Sequence, residues 1–186
     1  MAKLFFRYAA MNAGKSTALL QVAHNYEERG HRVRLFTARV DNRYGSGHIT
    51  SRLGPQREAE AFGPETDFLA LNAAQPGVAC LLIDEAQFLT KEQVWALHEL
   101  AHIHNLPVIC YGLRTDFQGE LFPGSASLLA LADEMDEMKT ICDCGRKATM
   151  NMRVDANNRK VTTGDQVEIG GNARYRAVCG RCFRQL

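Results

Sequence analysis

The stretch Ala9-Ala10-Met11-Asn12-Ala13-Gly14-Lys15-Ser16 ends in Gly-Lys-Ser, with Thr17 following. Between a strand and a helix, such a loop presents successive backbone N–H groups and a helix N-terminus to phosphate oxygens. Lys15 would reach the β- and γ-phosphates of a nucleotide, and the Ser16 hydroxyl would bind Mg²⁺. The usual motif opens with glycine, and Ala9 stands in that place. Alanine disfavours φ > 0, so the loop must manage without a left-handed turn there. The second chemical feature is Asp84-Glu85, which closes the apolar run Val78-Ala79-Cys80-Leu81-Leu82-Ile83. An acidic residue at the end of a buried strand can hold Mg²⁺ beside a phosphate loop. Its neighbour Glu85 can take a proton from a hydroxyl nucleophile or activate water. ATPases and small-molecule kinases both use such a pair, so the residue types leave both open.

Four of the six cysteines form two close pairs, Cys142-Asp143-Cys144 and Cys179-Gly180-Arg181-Cys182. Zinc favours four thiolates in a tetrahedron, and a closed set of four is structural. The Cys-x-Cys pair is tighter than the more common Cys-x₂-Cys. The segment between the pairs has few apolar residues, so a metal would supply its folding energy. Free thiols and a disulfide between near neighbours are the other readings. Cys80 and Cys110 lie in apolar runs, where a free cysteine is a small hydrophobe. His98 and His102 are four apart on one helical face, but they lack the intervening glutamate of a metalloprotease and read as ordinary helix residues.

These groups need elements to position them. Leu4–Tyr8 reads as a strand, Ser16 to about Arg29 as a helix stopped at Gly30, and Arg32–Thr37 as a second strand. Asp41–His48 is rich in turn formers and predicts a mobile loop. Arg43 and Arg52 lie in or near it, where an arginine could stabilise charge on a transferred group or simply be solvated. Phe68–Ala74 predicts a short helix. Val78–Ile83 and Pro107–Gly112 read as strands buried on both faces of a parallel sheet. Thr90 with Gln93 forms a capping box before a helix to about His104. Ser125 to about Ala132 predicts a helix, followed by the acidic Asp133–Glu137. This alternation specifies an α/β fold, a P-loop (RecA-like), mostly parallel sheet flanked by helices. The βα rhythm stops near Cys142, which predicts an ATP-binding domain over 1–141 and a small zinc-binding domain over 142–186.

The 186 residues suit one domain with an appendage. With 22 basic and 21 acidic residues the net charge is +1, so no nucleic-acid partner is expected. No apolar run approaches the ~20 residues of a membrane span. The N-terminal apolar stretch is too short for a signal peptide. A cytoplasmic protein is expected.

Taken together, the chain resembles the type II thymidine kinases, the zinc-containing P-loop deoxynucleoside kinases. The resemblance covers nearly the whole chain. It rests on Ala10–Thr17, Asp84-Glu85-Ala86-Gln87-Phe88, Tyr111-Gly112-Leu113-Arg114-Thr115-Asp116-Phe117, the four cysteines, and Ile169-Gly170-Gly171-Asn172-Ala173-Arg174-Tyr175. It implies transfer of the γ-phosphoryl of ATP, with Mg²⁺, to the 5′-hydroxyl of thymidine. Glu85 matches the family's catalytic base, Lys15 and Ser16 its phosphate and Mg²⁺ residues, and Asp84 its strand-end carboxylate. Ala86 and Gln87 lie in the stretch lining the nucleotide site. Phe117 matches an aromatic packed on the thymine ring, with Met11, Leu113 and Phe122 as apolar neighbours. Gln166, Val167, Glu168, Ile169 and Gly170 match the lasso loop whose backbone reads the thymine edge, and Tyr175 matches a tyrosine that closes over it. The resemblance also implies a structural zinc at the foot of the lasso, a homotetramer, and feedback inhibition by dTTP.

Overall fold

A computed structural model describes residues 1–39, 47–73, 76–168 and 174–185. Six parallel strands form the central sheet: β1 (Leu4–Ala9), β2 (Arg32–Ala38), β5 (Glu60–Phe62), β6 (Val78–Ile83), β7 (Val108–Leu113) and β8 (Glu134–Glu137). Their order is β5-β2-β6-β7-β1-β8. A short antiparallel hairpin, β3 (His48–Thr50) with β4 (Gln56–Glu58), interrupts the chain before β5. The helices are α1 (Lys15–Glu27), α2 (Phe68–Ala73), α3 (Lys91–His102) and α4 (Pro123–Leu131), with a 3₁₀ turn over Ala86–Phe88.

Parallel strands need crossover connections, so both sheet faces become covered and the strands read as continuous apolar runs. On one face Leu4, Phe6, Leu81 and Ile83 pack with Val94, Leu97 and Leu100 of α3. On the other, Cys80, Leu82, Ile109 and Tyr111 pack with Leu19, Leu20 and Ala23 of α1. Each fully buried aliphatic or aromatic side chain contributes about 1.5–3 kcal/mol, so these two layers dominate the stability. The start of α3 follows expectation. Thr90 Oγ1 accepts from Gln93 N at 3.1 Å, and Gln93 Oε1 accepts from Thr90 N at 3.0 Å.

The acidic run Glu134–Glu137 has no strand-like pattern, yet it pairs with β1 as the edge strand β8. Charges on an edge strand discourage further pairing. Lys3 and Lys147 bond Glu134 and Glu137. Beyond it lie β9 (Thr140–Ile141), β10 (Lys147–Ala148), β11 (Met150–Val154), β12 (Lys160–Val161), β13 (Tyr175–Val178) and α5 (Gly180–Gln185). β11 is central, with β12 and β13 antiparallel on either side. Cys142, Ala148, Met152, Val154, Val178 and Cys179 make a small core of their own. No helix among the described residues is long and apolar enough to cross a membrane.

Candidate active site

The carboxyl ends of β1 and β6 open on the same edge of the sheet, where ligands of open α/β sheets bind. After β1 the chain turns through Asn12 (φ 64°) and Gly14 (φ 79°) into α1. Ala9 ends β1, and the left-handed conformations fall at Asn12 and Gly14 instead. That is how the loop forms without an opening glycine. The first turn of α1 carries no acidic residue of its own to oppose an anion at its N-terminus. Lys15 Nζ lies 3.4 Å from Ala10 O. The β3–β4 region closes over the loop: Thr17 Oγ1 and Ser51 Oγ are 2.6 Å apart, and Arg52 bonds the Asn12 side chain. Arg43 lies outside the described residues.

Ser16 Oγ donates to Asp84 Oδ2 at 3.0 Å, which joins the two sequence motifs. Asp84 is 4% exposed. Burial, reinforced by the adjacent Glu85, pushes its carboxyl up to about 7, against the pull of Ser16 and Lys15. A buried carboxylate beside a hydroxyl is a hard-oxygen donor set that gains from a cation. Glu85 itself has φ 53° and ψ 39°, left-handed for a residue with a side chain. Strain of this kind costs about 1–3 kcal/mol and gathers at functional sites. The conformation points the chain into the 3₁₀ turn, where Gln87 holds it. Gln87 Nε2 donates to Glu85 Oε2, and Gln87 Oε1 accepts from Leu113 N at 3.1 Å. The tight fit needs Gly112, since a Cβ there would meet Gln87 Oε1 at 2.9 Å.

One cleft of about 490 Å³ runs from this corner to the C-terminal region. Its lining holds Asn12–Ser16 and Glu85 on the phosphate side, and Leu113, Phe117, Phe122, Gln166, Val167, Glu168 and Tyr175 on the other. Met11 and Gln87, also in the lining, link the two groups through Asn151 and Leu113 N. Phe117 and Phe122 are both nearly fully buried as well, so they serve core and cleft together. Ala9, Ala10, Asp84 and Ala86 are buried, each at most 6% exposed, and do not line the cleft. Ile169 and Gly170 lie outside the described residues. Gln166 Nε2 donates to Asp116 Oδ2 at 2.9 Å, fastening the loop to the segment after β7.

Two buried polar residues, Asn151 and Arg153 of β11, escape the sequence reading. Asn151 Oδ1 accepts from Met11 N at 2.8 Å, and its Nδ2 donates to Thr115 O at 2.9 Å. It therefore ties the phosphate loop to β11. Their one sequence signal is the alternation Asn-Met-Arg-Val, which ordinarily reads as polar-outward.

The four cysteines meet. Their Sγ atoms all lie within 4.8 Å of one another, with Cys144 3.5 Å from Cys142 and 3.6 Å from Cys179. A tetrahedral zinc–thiolate site places its sulfurs about 3.8 Å apart, so this cluster could hold such an ion. The backbone N–H of Arg146, with the neighbouring thiols, lowers Cys144 to about 6, while the same neighbouring thiols push Cys182 up to about 12, so the four thiols share their protons and a metal would displace them. The His98 and His102 rings lie 4.2 Å apart, tilted by 43°, and join no metal cluster among the described residues.

Known proteins share this sequence along its length. The thymidine kinase family model matches residues 2–183. A protein of Chromobacterium violaceum is 64% identical, with 98% of each chain covered. A protein of Ruegeria pomeroyi is 55% identical across 100% of this chain and 95% of its own. One of Idiomarina loihiensis is 56% identical across 100% and 97%. All three carry the name thymidine kinase. With the family model matched over residues 2–183 and more than half of the residues shared with these relatives, the chain belongs to the thymidine kinase family.

Proposed function

We propose that the protein transfers the γ-phosphoryl of ATP to the 5′-hydroxyl of thymidine, giving dTMP and ADP. The observation that carries this reading is the single cleft with two chemically different ends. One end is a phosphate loop with Glu85 in the lining and Asp84 bonded to Ser16, and the other is a slot walled by Phe117, Phe122 and Tyr175. A pyrimidine needs a flat apolar slot with a few donors and acceptors, and the volume suits a small-molecule site.

In this reading the loop 9–16 and the N-terminus of α1 receive the phosphates, with Lys15 on the β- and γ-groups. Ser16 and Asp84 would hold Mg²⁺, which supplies charge neutralisation on the phosphates. Glu85 accepts the proton of the 5′-hydroxyl as the oxygen attacks phosphorus. Gln87 aims that carboxylate. Phe117, Met11, Leu113 and Phe122 take the base, and backbone groups of 166–170 read its edge while Tyr175 closes over it. Cys142, Cys144, Cys179 and Cys182 would hold zinc, which stiffens the foot of this loop. Phosphoryl transfer needs positioning and charge stabilisation above all, so a rigid, water-excluding loop serves the rate. The division into residues 1–141 and 142–186 follows these two tasks. The reading extends to a cytoplasmic homotetramer inhibited by dTTP, with no nucleic-acid partner.

The test is purified protein with ATP, Mg²⁺ and a panel of nucleosides, reading phosphorylated nucleoside directly. Thymidine 5′-monophosphate is the expected main product. Glu85→Gln is expected to lower turnover by about 10²–10⁴-fold while ATP still binds. ATP turnover without nucleoside product would overturn the reading.

A further inference from the structure

Arg153 is the most deeply buried cation near the cleft, at 3% exposure. A guanidinium out of water is costly unless its donors are used. Here they are used on one side. Nε and Nη2 donate to Tyr175 Oη at 3.0 and 2.7 Å, and Nη2 also reaches Asp165 O at 2.7 Å. Its central carbon sits 3.8 Å from the centroid of the Phe117 ring. Nη1 lies 3.6 Å from Glu168 Oε2, and Tyr175 Oη in turn accepts from Glu168 N at 3.1 Å. Arg153 and Tyr175 are direct cross-strand partners in β11 and β13. The segment 162–168 carries no helix or strand, so its carbonyls have no ladder of their own. Arg153 supplies the donors that a ladder would.

We propose that Arg153 is a positioning residue for the nucleoside slot, one buried guanidinium joining Phe117, Tyr175 and the 165–168 loop into a single rigid wall. The proposal rests on the reading of this end of the cleft as the nucleoside site. Arginine is required by shape as well as charge. A planar fork can stack on a ring and donate in its own plane, whereas an ammonium is a point charge.

The experiment compares Arg153→Met, Arg153→Lys and Tyr175→Phe with wild type by steady-state kinetics, zinc content, thermal melting and amide hydrogen exchange. Charge-assisted hydrogen bonds of this number correspond to about 10- to 100-fold in affinity. Arg153→Met is expected to raise KM for thymidine by that factor, with KM for ATP within about twofold and zinc retained. Arg153→Lys is expected to recover only a small part. Exchange at 165–168 in the free protein is expected to quicken in both Arg153 variants. If Arg153→Met does not fold, Tyr175→Phe carries the test, since it removes the shared acceptor at a half-buried site. An unchanged KM for thymidine, equal losses for both substrates, or unchanged exchange at 165–168 overturns the proposal. The exchange arm needs no thymidine activity. A wild type that ignores thymidine therefore sinks the functional reading alone, while unchanged exchange sinks this one.

Discussion

Gly124 is the second residue of α4, after Pro123, and its backbone is not left-handed. Helix propensity alone therefore predicts that Gly124→Ala stabilises the protein by about 1 kcal/mol. The packing predicts the opposite sign. A Cβ at this position would meet Ala86 O at 2.4 Å, Gln87 O at 2.8 Å and Leu89 O at 2.9 Å. All three are backbone atoms, so no rotamer change relieves them. The nearest must retreat about 0.6 Å merely to reach 3.0 Å. Overpacking of this kind costs about 1–3 kcal/mol, which at the upper end outweighs the propensity gain by about 2 kcal/mol. For a chain of this size that is a melting-point loss of about 4–8 °C. The same shift displaces the 86–88 turn that holds Glu85 through Gln87. A misplacement of about 1 Å can cost about 10²-fold, so turnover is expected to fall about tenfold. KM for ATP is expected to hold, because the phosphate loop is untouched. Thermal melting with initial-rate kinetics decides the matter. A higher melting point with unchanged turnover would refute the packing reasoning.

Three further outcomes are expected. Asn151→Ala leaves Met11 N–H and Thr115 C=O without their partner, each worth about 1–3 kcal/mol when buried, so melting falls and KM for ATP rises; an unchanged KM for ATP would show that the phosphate loop does not depend on β11. Chelation of a metal held by the four thiols is expected to speed hydrogen exchange across 140–185 and abolish thymidine binding, while ATP binding survives; uniform exchange before and after chelation would contradict this. Burial pushes the Cys80 thiol up to about 12 and Cys110 higher still, so both stay protonated at pH 8. Iodoacetamide is expected to leave them unlabelled in the native protein and label them once denaturant is added, as read by peptide mass spectrometry.

Much of the phosphate end was legible because its information is local. Strand, loop and helix follow one another over Leu4–Glu27, and a Gly-Lys-Ser between them has few other uses. The capping box at Thr90 is equally local, and it is present with both bonds. The edge strand β8 was not legible. Glu134, Asp136 and Glu137 are poor strand formers, and only pairing with β1 makes them a strand. The β3–β4 hairpin was missed for a related reason, since three-residue strands carry too little pattern. Phe117 and Phe122 could be read from residue type only as core, and the fold makes them core and cleft wall together.

Residue type and spacing by themselves determined the phosphate loop, the acidic pair, the two thiol pairs and the alternating α/β plan. Each is written in neighbouring residues or in a periodicity, and each would survive in a short peptide's sequence. Tertiary structure alone decided that Ser16 meets Asp84 across 68 positions, that Met11 meets Asn151 across 140, and that four thiols separated by the 34 residues 145–178 converge. It also turned the polar face of β11 inward. A strand alternating polar and apolar residues normally hides the apolar side, but here both sides are covered, one by the small thiol-rich core and one by the cleft. Polar side chains are retained on such a face because Asn151 and Arg153 find hydrogen-bond partners there, and those partners come from distant segments that only the folded chain brings together.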